Sequence, residues 1–170
     1  MLVVADTTPI NYLVLIGQID LLASLYEQVV IPRAVAAELR HPKAPAVVQT
    51  WVAGPPPWCA IRQAQGQPDE ALMQLDLGER EAILLAQELG AGAFLTDDLE
   101  GREEAIHRGI AVTGTLGILE RAALRALIDL PTAIAQLQAT TFYGPPHTPS
   151  DLVVDYWTAD VESNSPLDFL

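Results

Sequence analysis

Two short, mainly apolar runs in this chain of 170 residues are followed by aspartates. Asp6 comes after residues 2–5, and Asp97 and Asp98 come after residues 93–96. Runs of this length, rich in small and branched side chains, are typical of strands buried on both faces of a parallel sheet. Because ligands of such sheets bind beyond the carboxyl ends of the strands, these aspartates are candidates for a functional site. Asp6 is equally consistent with a turn or helix-capping residue.

Glu38 is a second kind of candidate, a carboxylate on a helix rather than at a strand end. Residues 33–40 favour helix and follow Pro32, which suits a helix start. Val35, Glu38 and Leu39 share one face of this helix by their i, i+3, i+4 spacing, so Glu38 lies beside the apolar stripe. A carboxylate in that position is unexpected unless it has a partner or a function. The alternative is a surface glutamate at the edge of the stripe, paired with Arg33 or Arg40.

Glu79 has a comparable position on a longer helix, predicted over residues 77–89 and ended by Gly90. It shares the more buried side of that helix with Ile83, whereas Glu81 lies nearer to solvent. Two helices therefore carry a carboxylate against the core.

The alternation of strands and helices predicts a parallel sheet with right-handed crossovers, which place all strand ends at one edge. Carboxylates gathered at that edge would repel one another strongly unless a cation neutralised them. Hard divalent ions such as Mg²⁺ or Mn²⁺ prefer oxygen ligands and keep bound water for chemistry. The pattern therefore predicts an acidic metal site at this edge, formed by Asp6, Glu38, Glu79 and an aspartate of the pair Asp97 and Asp98.

The remaining pattern predicts an α/β domain that fills most of the chain, as expected for one domain of this length. Short apolar runs predict the strands, and amphipathic or apolar segments predict the helices between them. The strands are predicted at residues 2–5, 29–31, 58–61, 93–96 and 110–112, and the further helices at residues 10–25 (two, broken at 17–18), 46–52, 102–108, 117–127 and 132–139.

Composition excludes several classes of protein. Half of the residues are hydrophobic, but no apolar run approaches the roughly 20 residues that span a bilayer. No basic stretch precedes the first apolar residues, so we expect a cytoplasmic protein that is not bound to a membrane. The single cysteine, Cys59, excludes an internal disulfide and a cysteine-rich zinc site, and is expected to be a small buried side chain.

The formal net charge of -13 is unfavourable for a nucleic-acid partner, because phosphate binding normally rests on Lys and Arg. Its distribution weakens this objection. All 9 basic residues lie within residues 1–125, whereas residues 126–170 hold acidic residues and no basic one. Carboxylates that bind a metal ion also count as negative, although the cation neutralises them in the working protein.

Five sequence motifs occur in the order found in one known family. They are VADTTP at residues 4–9, PRAVAAEL at 32–39, LGEREAI at 77–83, LTDDLEGR at 95–102 and VTGTLG at 112–117. With these motifs the chain resembles the PIN-domain superfamily and, more closely, its DUF3368 branch, related to VapC-type toxin ribonucleases. The resemblance covers about residues 2–140.

The resemblance implies a three-layer α/β/α fold around a central parallel sheet and a Mg²⁺- or Mn²⁺-dependent endoribonuclease. The family's acidic site corresponds to Asp6, Glu38, Glu79 and Asp98. Glu81 remains an alternative to Glu79, and Asp97 an alternative or additional metal ligand beside Asp98. Hydroxyl groups near the metal would come from Thr8, Thr96 or Thr115. Arg102 is the candidate to hold a substrate phosphate, unless it only pairs with Glu103.

Such a protein would have RNA as its substrate, a cognate antitoxin protein as its partner and a homodimer as its assembly. Two other classes stay open. One is a catalytically silent PIN-like dimerisation or scaffold module, which would explain the small number of Lys and Arg residues. The other is a phosphatase or DNA nuclease that uses the same acidic site.

Residues 142–170 have a different composition from the nuclease domain predicted over residues 1–141. They contain four prolines, acidic residues without a basic one, and short apolar patches. This composition predicts an extended acidic tail. The tail either lies on its own domain or remains disordered, or it docks on a partner or covers the active site in place of RNA.

Overall fold

The computed structural model describes residues 1–142 and has a central sheet of five parallel strands. The strand order is β3-β2-β1-β4-β5, so that β1 is the middle strand. The chain builds outwards from β1 on one side and then crosses to the other side at β4. The strands are β1 Leu2–Ala5, β2 Gln28–Pro32, β3 Cys59–Arg62, β4 Ala93–Leu95 and β5 Val112–Thr113.

Eight helices connect and cover the strands within the described residues. A single 3₁₀ turn, Leu72–Gln74, lies in the connection that follows β3. The helices are α1 Thr7–Leu15, α2 Leu21–Leu25, α3 Arg33–Leu39, α4 Ala46–Ala53, α5 Leu77–Leu89, α6 Leu99–His107, α7 Thr115–Leu124 and α8 Leu130–Gln138.

Two apolar clusters lie on opposite faces of the sheet, because successive side chains of a strand point to opposite faces. In β1, Val3 belongs to one cluster and Val4 to the other. The first cluster takes buried residues from α1, α2, α3, α4, α7 and α8, and the second takes them from α5 and α6. The expected three-layer arrangement around a parallel sheet is thereby confirmed.

The reversal of strand order between β1 and β4 creates a crevice at their carboxyl ends. In open parallel sheets this is where ligands bind. Asp6 directly follows β1, and Asp97 and Asp98 come two and three residues after Leu95, the last residue of β4. The fold therefore places these three aspartates at the edge where the sequence predicts a functional site.

Several element boundaries differ from the sequence-based prediction, three of them at the carboxyl-end edge of the sheet. Helix α1 begins at Thr7 rather than at residue 10, so that Asp6 is its N-cap residue. Strand β5 is Val112–Thr113, rather than residues 110–112, because its pairing with β4 decides its extent. Helix α7 begins at Thr115, two residues earlier than predicted, for a reason that involves Asp97.

Cys59 is buried, as expected, and burial raises the pKa of its thiol to about 12. Within residues 1–142, no helix is both long enough and apolar enough to cross a membrane. The predicted acidic tail lies outside the described residues, apart from its first residue, Phe142. That ring packs edge-on against Tyr12 of α1, with the ring centroids 4.9 Å apart.

Candidate active site

Asp6 is a buried carboxylate between β1 and α1, with 5% of its surface exposed. It is the N-cap residue, but its side chain makes no capping hydrogen bond in the described structure. The third residue of the helix is Pro9, which has no N–H to offer. The hydroxyl of Thr96 donates to Asp6 Oδ2 at 3.3 Å. Burial, reinforced by the charges of neighbouring carboxylates, raises the pKa of Asp6 to about 7, despite opposing hydrogen bonds.

Glu38 on α3 approaches Asp6 from the neighbouring helix. Its Oε2 accepts a hydrogen bond from the hydroxyl of Thr7. Its Oε1 lies so close to Gly78 of α5 that a Cβ there would stand 2.7 Å from it and 3.5 Å from Asp6 Oδ1. Removal of the carboxyl group from water raises its pKa, with a contribution from Asp76, while the Thr7 bond opposes the rise.

Glu79 is the most enclosed of the acidic residues at this edge, with 3% of its surface exposed. Its Oε1 has no hydrogen-bond partner among the described residues. A Cβ at Gly101 of α6 would lie 3.0 Å from this oxygen, so the glycine leaves space for the carboxylate. Burial raises the pKa of Glu79 to about 8, and nearby carboxylates, Asp98 foremost, add to the effect.

Asp98 caps α6 and contacts Glu79. Its Oδ1 accepts hydrogen bonds from the N–H groups of Glu100, at 2.8 Å, and Gly101, at 3.2 Å. A hydrogen bond with Glu79 is the largest cause of the lowered pKa of Asp98, and the two N–H groups contribute. The hydrogen bond between them therefore favours the protonated form of Glu79 and the ionised form of Asp98.

The four predicted metal-binding carboxylates thus lie at one edge of the sheet as two neighbouring pairs. Asp6 and Glu38 flank Gly78, and Glu79 and Asp98 adjoin Gly101. Asp6 also raises the pKa of Glu79 through its charge, which links the pairs. Among residues 1–142, no three His, Cys, Asp or Glu side chains are already arranged to hold a metal ion together.

Asp97 and Glu81, the alternative candidates, hold other helices in place. Asp97 accepts hydrogen bonds from the N–H of Thr115, at 2.7 Å, and from its hydroxyl, at 2.5 Å. The residue before Thr115 is Gly114, which has no side chain for capping, so Asp97 caps α7 from outside and explains its early start. Glu81 accepts a hydrogen bond from the N–H of Ala34, at 3.2 Å, in the first turn of α3.

Asp76 is an acidic neighbour of the site that the sequence analysis missed. It caps α5 by accepting the N–H of Glu79 at 2.9 Å, and its charge raises the pKa values of Asp6, Glu38 and Glu79. Its sequence signal was available, because an aspartate three residues before a glutamate at a helix start resembles a capping box.

The residues predicted to contact substrate have different surroundings. Thr8 is half-buried and makes no side-chain hydrogen bond within the described part of the chain, whereas its neighbour Thr7 reaches Glu38. Thr115 is fully buried and bound to Asp97. Arg102 lies half-buried in the first turns of α6, next to Gly101.

The chemistry of this donor set suits a divalent cation. The side chains are carboxylates and hydroxyls, the oxygen ligands that Mg²⁺ and Mn²⁺ prefer. Glu79 Oε1 is buried without a hydrogen bond to any of residues 1–142, and a buried acceptor without a partner is unfavourable. The raised pKa values of Asp6 and Glu79 show the cost of burying these carboxyl groups, to which their acidic neighbours add.

Comparisons with known proteins agree with this architecture. A family model described as DUF3368, PIN domain, matches residues 2–154, which includes the start of the predicted tail. A PilT N-terminus domain protein from the hyperthermophilic archaeon Sulfolobus solfataricus P2 superposes with a TM-score of 0.53 at 16% identity. The match covers 72% of this chain and 93% of that one, and at this identity it supports the fold alone. No curated protein matches significantly.

Proposed function

The chain belongs to the DUF3368 family of PIN domains, and from this premise we propose that it is a divalent-cation-dependent endoribonuclease. PIN domains are generally nucleases and generally use divalent metal ions. The finer proposal is hydrolysis of RNA phosphodiester bonds with Mg²⁺ or Mn²⁺.

The observation that carries this proposal is Glu79. Its carboxyl group is buried at the edge of the sheet where the strands end, with Asp98 and Asp6 as acidic neighbours and with one oxygen that has no hydrogen-bond partner in the described part of the chain. A purely structural role would favour a partner for that oxygen or an apolar side chain in its place. A cation bound by these oxygens would remove both the repulsion and the unsatisfied acceptor.

Asp6, Glu38, Glu79 and Asp98 are the residues that would hold the ion. When bound, the cation lowers the pKa of a coordinated water and stabilises negative charge on the scissile phosphate. Thr96 orients Asp6 and Thr7 orients Glu38 through their hydroxyl groups. Gly78 and Gly101 leave the space that the carboxylates need.

Other side chains of the site would position the RNA. Arg102, in the first turns of α6, would bind a substrate phosphate through its guanidinium group. Thr8 is available at the start of α1 for contact with the RNA backbone. Thr115 contributes indirectly, because it holds the carboxylate of Asp97 at the end of β4.

The test is RNA cleavage with Mn²⁺ or Mg²⁺ by the wild type, Asp6→Asn and Glu79→Gln. Both substitutions remove a charge while keeping size, and each should lower the cleavage rate at least about 100-fold and abolish Mn²⁺ binding in calorimetry. Asp20→Asn is the matched control, because Asp20 is also a helix N-cap residue without a side-chain capping bond, but it lies at α2. It should keep wild-type activity.

Cleavage of RNA by the wild type that survives Asp6→Asn would contradict the proposed site. A wild type that binds no divalent ion and cleaves no RNA would instead favour the scaffold module. Cleavage of DNA in place of RNA would identify a DNA nuclease, and hydrolysis of phosphate monoesters alone would identify a phosphatase. Each result therefore selects one of the classes that the sequence leaves open.

We propose in addition that the protein is the toxin of a toxin–antitoxin pair and that it forms a homodimer. The support is the resemblance of the five motifs to VapC-type toxin ribonucleases. Induced expression should stop bacterial growth in the wild type and not in Glu79→Gln, and a small protein encoded beside it should restore growth. Light scattering of the purified chain measures the assembly, and a monomer at all concentrations would contradict the dimer.

A further inference from the structure

A polar groove of about 330 Å³ lies beside α5, next to the acidic edge. The loop of residues 63–68 forms one wall, and Leu77, Arg80 and Glu81 of α5 contribute to the other. Three glutamines, Gln63, Gln65 and Gln67, line the loop side. Glu79 directly precedes Arg80 on the helix, so the groove and the acidic site share one turn of α5.

The loop wall of this groove is held in place before any ligand binds. The carboxylate of Glu88 accepts the N–H groups of Gln65, at 2.8 Å, and of Gly66, at 2.5 Å. Arg33 Nη1 donates to Gln63 Oε1 at 3.0 Å, which ties the beginning of the loop to α3. A preorganised wall reduces the entropy cost of binding.

The acidic side chains near the groove are engaged with backbone groups. Glu88 binds the loop, and Glu81 binds the N–H of Ala34. The groove therefore offers glutamine amide groups and the guanidinium group of Arg80 beside the carboxylate of Glu81, and Arg33 holds Gln63 from α3. Arg80 is fixed by the carbonyl oxygens of Leu72, at 3.2 Å, and Leu75, at 2.9 Å.

A second groove, between residues 71–75 and α6, has the opposite character. Glu100, Glu103 and Glu104 line it, together with Gln74 and His107. A polyanion that approaches the acidic edge is repelled on this side and accepted on the glutamine side. RNA is therefore expected to reach the acidic site from the side of the glutamine groove.

We propose that the glutamine groove binds bases of single-stranded RNA next to the scissile phosphate. This proposal rests on the proposed nuclease function and specifies where the RNA substrate binds. A glutamine amide has donors and an acceptor, which suit the edges of an unpaired base. Leu77, with 55% of its surface exposed, gives an apolar surface for the face of a base. The guanidinium group of Arg80 compensates part of the charge of the RNA backbone.

The test measures KM, kcat and the positions of cleavage on a short labelled single-stranded RNA with Mn²⁺. The double variant Gln63→Ala/Gln67→Ala should raise KM about five- to tenfold, leave kcat within about twofold and redistribute the cleavage positions. Leu77→Ala, a second and independent variant at an exposed position, should change KM in the same direction. Gln74→Ala is the matched control in the glutamate-lined groove and should behave as the wild type.

The result separates this inference from the proposed function. A wild type that cleaves no RNA contradicts the nuclease. A wild type that cleaves RNA, with groove variants indistinguishable from Gln74→Ala, overturns the groove alone. A DNA strand of the same sequence serves as competitor, and weaker competition than by RNA supports recognition of the ribose hydroxyl.

Discussion

Two helices of this protein begin at an aspartate that follows a strand, and the two aspartates differ in state. Asp6, after β1, is buried and has a pKa raised to about 7. Asp98, after β4, is exposed and has a lowered pKa. The same residue type, as the N-cap residue after each of two neighbouring strands, therefore resists ionisation in one case and favours it in the other.

Burial of Asp6 and the hydrogen bond between Asp98 and Glu79 are the main causes of this difference, and backbone N–H groups add to it. Asp98 accepts hydrogen bonds from the second and third residues of α6, Glu100 and Gly101. The third residue of α1 is Pro9, which lacks an N–H, and Asp6 makes no such capping bond within the described structure. A capping aspartate stabilises its helix, whereas Asp6 costs folding energy. A cost of this kind is typical of functional sites.

The first prediction concerns Gly78→Ala, which adds a side chain next to Asp6 and Glu38, the carboxylate pair beside β1 (the β1 half of the site). The new Cβ would stand 2.7 Å from Glu38 Oε1, and Glu38 is exposed enough to move away. We expect cleavage to fall about 10- to 100-fold while the melting temperature changes little, because the fold keeps its core. Gly54→Ala is the matched control, since a Cβ there meets no atom within 4 Å.

Wild-type cleavage by Gly78→Ala would show that Glu38 need not stay beside Asp6. The corresponding change in the β4 half, Gly101→Ala, brings a Cβ to 3.0 Å from Glu79 Oε1. Because Glu79 is buried and has little freedom to move, this variant should lose thermal stability as well as activity. The difference in stability between the two alanine variants tests whether the halves differ in rigidity.

The second prediction compares Asp6→Ala and Asp98→Ala in thermal unfolding at pH 8 with a chelator. Asp6→Ala removes a buried carboxyl group that resists ionisation, so the melting temperature should rise by about 2–4 °C. Asp98→Ala removes a capping side chain worth about 1 kcal/mol, so the melting temperature should fall by about 3–5 °C. Shifts of equal sign would contradict the contrast between the two strand ends.

The third prediction concerns the pH dependence of stability without divalent ions. Asp6 and Glu79 have folded-state pKa values of about 7 and 8, above the ordinary values of 3.8 and 4.5. The folded protein therefore keeps protons that the unfolded chain has released, and rising pH favours unfolding. Asp98 has the opposite shift, but its contribution is already complete above pH 5.

The melting temperature in chelator should accordingly fall by a few degrees between pH 5 and pH 8. Asp6→Asn should flatten this dependence, whereas Asp20→Asn should leave it unchanged. Added Mn²⁺ should restore stability at pH 8 through binding to the folded state. A melting temperature that is flat or rises over this range in the wild type would contradict the raised pKa values.

Local sequence patterns were sufficient to predict most of the strands and helices. The first strand and α5 were predicted within one residue, because a short branched apolar run and a helix closed by Gly90 depend on nearby residues. Gly90 has a φ of 57°, a left-handed conformation that glycine adopts easily. The start of α7 was misjudged, because its cap comes from Asp97, 18 residues earlier in the chain.

In the candidate site, too, local features could be predicted and long-range contacts could not. Asp6 and Glu79 could be selected from a strand end and a helix face, and the structure brings them to one edge. Their roles as metal ligands remain predictions. The separate tasks of Asp97 and Glu81 were not visible in the sequence, because each carboxylate binds a helix that is distant along the chain. Asp76 was missed although its capping pattern is local.

By itself, the sequence determined the α/β class, the family and the set of acidic residues that can form a site, because these depend on local periodicity and on motifs. Only the tertiary structure decided which carboxylates accept hydrogen bonds from backbone N–H groups and which are buried beside one another. It also decided that glutamines line a groove beside α5 and glutamates line another between residues 71–75 and α6. The physical reason is that hydrogen-bond partners and desolvation depend on which segments the fold packs together, and no spacing along one segment contains that information.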